Sequence, residues 1–173
     1  MSETSSWPGR AEASASALRR LAIIGLGNPL RGDDGIGPRL VEQLRQRPLP
    51  PGVAVIDGGT GGLSLLFLLE EGWERVVIVD AADVGREAGD FARFTPEEVR
   101  LARAADPFSF HDAGLSEVLA LAEALGHELP PIVVFGVQPG ALDWREGLSE
   151  AVQRALPALV EAVMAEVEAA TQG

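Results

Sequence analysis

The sequence predicts an α/β sandwich built on a mostly parallel, five-stranded twisted sheet. Two observations carry this. Short apolar β-type runs alternate with amphipathic helical patterns along most of the chain, as in β-α-β units. The 173 residues also make one ordinary domain, long enough to bury a core.

The elements follow in order. Residues 1–18, rich in Ser, Ala and Glu, show no sustained apolar period and are expected to form a flexible extension. A single domain is expected over 19–173. Arg19-Arg20 ahead of an apolar run resembles a twin-arginine signal, but the run is short and Gly27-Asn28-Pro29 interrupts it. Residues 21–26 are a first buried strand. From 36 to 46, Ile36, Leu40, Val41 and Leu44 share one helical face. Strand two spans 53–57, followed by a glycine-rich turn at 58–62 and a helix over 63–70. Strand three covers 76–80, and 90–94 alternates as an edge strand. A helix is expected over 112–125, a strand over 132–137, and a closing amphipathic helix over 149–170. On that last helix Val152, Leu156, Leu159, Val160 and Val163 are expected to pack on the sheet.

Composition narrows the chemistry. There are 26 acids against 14 bases, a net charge of −12, and every base is arginine. Such a surface repels polyphosphates, so neither nucleic acid nor an anionic membrane is expected as a partner. Without Cys, Lys or Tyr, thiolate, Schiff-base and tyrosine chemistry are excluded. No run approaches the roughly 20 apolar residues of a membrane span. A cytoplasmic monomer is the expectation.

The acids are not scattered. Asp33 and Asp34 follow strand one, Asp57 closes strand two and Asp80 closes strand three. Ligands of open parallel sheets bind beyond the carboxyl ends of the strands, so neighbouring strands would gather these carboxylates on one rim. Gathered acids repel one another unless a cation neutralises them, which points to a metal or a cationic substrate. Any one of these aspartates could equally serve a turn or a helix cap. His111, in Ser109-Phe110-His111-Asp112, is the imidazole that would complete an O,O,N set suited to Zn, Ni, Co or Mn. His127 follows a helix and is expected to be solvated.

Gly25-Leu26-Gly27-Asn28-Pro29-Leu30 sits where a dinucleotide fingerprint would, but Leu30 stands in place of its third glycine and two aspartates precede the helix. Peptidyl-tRNA hydrolases share the Gly-Leu-Gly-Asn-Pro turn, yet continue with a histidine-bearing stretch that is absent here. The full segment Gly25 to Gly37 resembles the signature of the [NiFe]-hydrogenase maturation endopeptidases. The similarity continues through Asp57-Gly58-Gly59-Thr60, Val79-Asp80-Ala81, His111-Asp112-Ala113-Gly114-Leu115 and Gly136-Val137-Gln138-Pro139, covering roughly residues 20–160.

That resemblance implies a three-layer α/β/α sandwich and removal of a C-terminal peptide from the large-subunit precursor after nickel insertion. It assigns nickel contact to Asp34, Asp80 and His111, and marks Asp57 as a further functional acid. The nickel would arrive in the precursor rather than as a resident cofactor. An activated water would be the nucleophile, with Asp57 able to take its proton. Two other functions remain open on sequence alone, a nucleotide-binding module and a non-catalytic chaperone of the large subunit.

Overall fold

The computed structural model describes residues 20–105 and 114–172. The extension expected over 1–18 and the residues around His111 lie outside that range. Five strands form one sheet: β1 (Leu21–Gly25), β2 (Val53–Asp57), β3 (Arg75–Ala81), β4 (Phe91–Phe94) and β5 (Ile132–Val137). Their order is β2-β1-β3-β5-β4. Only β4 runs antiparallel, and it lies at an edge. Helices α1 (Ile36–Arg45) and α5 (Glu150–Gln172) cover one face. Helices α2 (Leu63–Leu69), α3 (Pro96–Ala105) and α4 (Gly114–Leu125) belong to the other layer, and the three-layer architecture follows.

Strand alternation divides the core in two. Leu21, Ile23, Val77, Val79, Val133 and Phe135 face α1 and α5. Their chain neighbours Ala22, Ile24, Val76, Ile78, Ile132 and Val134 belong to the opposite cluster with Leu65, Leu69 and Leu119. Successive side chains point to opposite faces, so β1, β3 and β5 must be apolar at nearly every position to bury both. The edge strands β2 and β4 are only half-buried. On α5, all five residues expected to face the sheet are buried.

Helix α3 falls where no helix is expected from periodicity. Its start is nevertheless encoded. The Thr95 amide donates to Glu98 Oε2 (2.7 Å), the Glu98 amide donates to Thr95 Oγ1 (3.3 Å), and Pro96 takes the first helical position. This is a capping box with a proline at its entry.

One ion pair ties the edge strand to the closing helix. Arg93 of β4 donates from Nε (2.8 Å) and Nη2 (3.1 Å) to the Glu166 carboxylate on α5, which also receives Arg75 Nη1 at 3.3 Å. The Arg93 hydrogen bonds hold the Glu166 carboxyl below its ordinary value of 4.5. A carboxyl lowered in the native state stabilises in full above that ordinary value, and the contribution is lost as pH falls through the lowered one. Glu166→Gln should therefore lower the unfolding midpoint at neutral pH and flatten its decline below about pH 4.5. Urea titrations across the acid range check this, and parallel curves for the two proteins would contradict it.

Candidate active site

The rim begins where β1 meets α1, and glycines let the two approach. A Cβ on Gly37 would lie 2.1 Å from the Leu26 carbonyl oxygen, and one on Gly25 would lie 2.3 Å from that of Gly37. Gly27 adopts φ 127°, and a side chain there would strike the Asp34 carbonyl. The loop is stitched to both neighbouring strands. Leu26 N–H donates to Val79 (2.8 Å), Gly27 N–H to Gly59 (2.8 Å), and Gly58 N–H returns to Gly25 (2.9 Å).

Asp34 lies in the short 3-10 turn Gly32–Gly35 and is 6% exposed. Its Oδ2 accepts the Asn28 amide at 2.9 Å. That amide is one a bound phosphate would use in a nucleotide loop, so the nucleotide reading is not favoured. β1 separates β2 from β3, so Asp34 stands at the head of the strand flanked by the two that end in Asp57 and Asp80. In register, Gly25 pairs with both Asp57 and Val79, which sets Asp80 one residue further along. Two strand spacings separate β2 from β3, about 10 Å. Asp57 is exposed, and its Oδ1 accepts the Gly59 amide at 2.9 Å. It thus makes the turn any strand-end aspartate can make, and still presents a second oxygen with no hydrogen-bond partner among the described residues. Asp80 is half-buried within β3, opposite Gly136 of β5.

Asp33 departs from the expected gathering of four acids. It is fully buried and accepts Gly140 N–H (2.7 Å), Ala141 N–H (2.8 Å), Ser149 N–H (2.6 Å) and Ser149 Oγ–H (2.8 Å). Its carboxylate clasps the β1–α1 loop to the segment between β5 and α5. Adjacent in sequence, Asp33 and Asp34 thus serve different ends. Sequence alone carried little signal for this, because Gly140, Ala141 and Ser149 contribute mostly backbone.

Other candidates fall away. Ser64 donates its hydroxyl to Gly61 O at 2.9 Å, within its own turn. His127 is exposed just past α4, as expected, and pairs there with Glu70, the residue that ends α2. α2 and α4 run back from the carboxyl rim, so this pair sits at the opposite edge of the sheet, away from the aspartates. Gly114, where α4 starts, packs on the β2–α2 loop, its Cβ position 3.0 Å from Thr60 O. Gln138 serves structure, its Oε1 accepting the amides of Val84 (2.8 Å) and Arg86 (3.2 Å). Among the described residues, no three His, Cys, Asp or Glu side chains are already grouped to hold a metal ion, and no helix is long and apolar enough to cross a membrane.

Comparison with known proteins places this rim in context. Residues 38–166 match the family model for hydrogenase maturation protease. The hydrogenase expression/formation protein HupD of Bradyrhizobium diazoefficiens is 37% identical over 142 residues, covering 81% of this chain and 73% of that protein. Among solved structures, the hydrogenase maturating endopeptidase HybD of E. coli superposes with a TM-score of 0.76 at 32% identity, over 87% of this chain and 93% of that one. The [NiFe] hydrogenase maturation protease HycI of Thermococcus kodakarensis superposes at 0.67 with 30% identity, over 86% and 92%. These likenesses agree with the five-stranded, mostly parallel sheet and its helix layers.

The Asp33 clasp has a measurable cost of removal. Asp33→Asn offers one oxygen where two accepted, and turns an amide N–H₂ toward donors. It should destabilise the fold by about 3 kcal/mol in urea unfolding, the scale of losing hydrogen bonds to a charged acceptor and leaving buried donors unpaired. A change under about 1 kcal/mol, ordinary for surface substitutions, would show that the clasp is dispensable.

Proposed function

The chain belongs to the hydrogenase maturation protease family, and on that premise we propose that it removes the C-terminal peptide of a [NiFe]-hydrogenase large-subunit precursor, using Asp34, Asp80 and His111 to contact the nickel that the precursor carries. The single observation behind the site assignment is the position of Asp34 at the head of β1, flanked by the strands that end in Asp57 and Asp80. His111 lies outside the described residues. Support for it comes from chain length, since it precedes Gly114 by three residues, an extended span of at most about 10 Å, and Gly114 packs against the β2–α2 loop.

In this reading nickel is part of the substrate. Two carboxylates and one imidazole suit a borderline divalent ion, and three such ligands bind it less firmly than a closed thiolate site would. The enzyme therefore responds to metal seated in the precursor, and docking on that metal brings the scissile bond to the rim. With Cys absent and Ser64 bonded within its own turn, water is the nucleophile. The Asp57 oxygen not engaged by Gly59 is its proton acceptor. The acidic balance of the chain fits an enzyme handling a protein substrate rather than nucleic acid.

Asp34→Asn, Asp80→Asn and His111→Gln should each slow processing of nickel-loaded precursor by about 100-fold, the upper range for disturbing a metal contact. The mass shift of the precursor on a gel reports it. Full processing by all three variants would end the assignment, and cleavage of nickel-free precursor at the normal rate would end the metal-reading role. A chaperone would bind the precursor without shortening it.

A further inference from the structure

Arg31 is an unusual cation in this chain. Acids outnumber bases nearly two to one, yet no carboxylate pairs with Arg31 among the described residues. Its Nε is buried and has no hydrogen-bond partner among the described residues. Its guanidinium carbon instead lies 5.8 Å from the centre of the Trp144 ring, and Trp144 is 76% exposed. A second cation stands alongside, because Arg31 and Arg145 form an isolated β-bridge. Among the described residues, the one carboxylate neighbour of Arg145 is loose, Asp143 at 3.8 Å.

The backbone beneath this cluster is fixed. Arg31 N–H donates to Asn28 O (3.0 Å), Asp34 N–H to Arg31 O (3.2 Å), and Arg145 N–H to Leu30 O (3.0 Å). Arg31 is thus locked three residues from Asp34. On either side of it, Leu30 and Gly32 line a groove of about 590 Å³ that runs on past Pro38, Leu148 and Gln153. Leu30 is half exposed at the lip. A weakly hydrated guanidinium, stacked on an indole and short of acceptors, is primed for a carboxylate.

We propose that Arg31, braced by Trp144 and neighboured by Arg145, recognises a carboxylate of the peptide that is cleaved. The peptide lies across the lip of the groove while the scissile bond sits at the aspartate rim. The inference rests on the site assignment made above. The carboxylate comes either from an acidic side chain in the C-terminal peptide or from the free α-carboxylate at its end.

The test measures kcat and KM for nickel-loaded precursor in three forms: native, with the acids of its C-terminal peptide changed to their amides, and with its α-carboxylate amidated. Wild-type enzyme should show a KM raised about tenfold on whichever form loses the recognised carboxylate, the size of one charge-assisted hydrogen bond. Arg31→Gln should raise KM by about the same factor on native precursor, hold kcat within about twofold, and add nothing on that neutralised form. Arg31→Lys should recover part of the loss. The proposal is overturned if wild-type enzyme treats all three forms alike, a result independent of how any variant folds. It is equally overturned if Arg31→Gln leaves KM unchanged or costs the same on every form. Cleavage of native precursor with no KM discrimination removes only the Arg31 role, whereas no cleavage by wild-type enzyme removes both readings.

Discussion

A carboxylate sealed from water at the centre of a loop junction must find donors, because burying it unpaired would cost several kcal/mol. Asp33 finds four, three backbone amides and one hydroxyl, all of them more than a hundred residues away in the chain. This bond set fixes the β1–α1 loop against the segment that leads into α5. Everything at the rim inherits that fixation. Asp34 is the next residue in the same tight turn, so anchoring one carboxylate inward leaves the other over the head of β1. Ser149 immediately precedes α5, and the clasp therefore also sets where the closing helix begins.

The sheet order supplies the second constraint. A parallel sheet sends its loops to one edge, and the order β2-β1-β3 sets the loop that carries Asp34 between the carboxyl ends of β2, closed by Asp57, and β3, whose last residue but one is Asp80. The register then spaces them: Asp57 level with Gly25, and Asp80 one step beyond Val79. Close backbone contact at Gly25, Gly27 and Gly37 lets the loop lie flat on the strand ends. A methyl group at any of these positions would lift Asp34 away from its neighbours. The rim concentrates negative charge without burying all of it: Asp34 is buried, Asp80 half-buried and Asp57 exposed.

Most of the fold was legible in the residues. The strands β1, β3 and β5 are nearly uniformly apolar because both their faces are covered, and the helices on either side carry period-3.6 stripes. Helix α3 is not legible from periodicity, because its start is written in capping chemistry, Thr95, Pro96 and Glu98, rather than in an apolar stripe. The candidate site was legible in part. Asp34, Asp57 and Asp80 could be read from their places at strand ends. The separate employment of Asp33 could not, since its partners are main-chain groups whose sequence is free to vary. The exposure of His127 was legible, but not its pairing with Glu70, which joins the ends of two helices that sequence spacing does not bring together.

By itself the sequence determined which segments form strands and helices, that the chemistry must rest on carboxylates and at most two imidazoles, and which family signature the first loop carries. These are local properties: apolar period, residue inventory and the spacing of glycines along a few turns. Tertiary structure alone decided which aspartate faces inward, that His127 pairs with Glu70, and that Arg31 stands beside Trp144 rather than beside an acid among the described residues. Those outcomes depend on hydrogen bonds and ring contacts between segments far apart in the chain, and no local pattern encodes the direction a buried carboxylate or guanidinium will take.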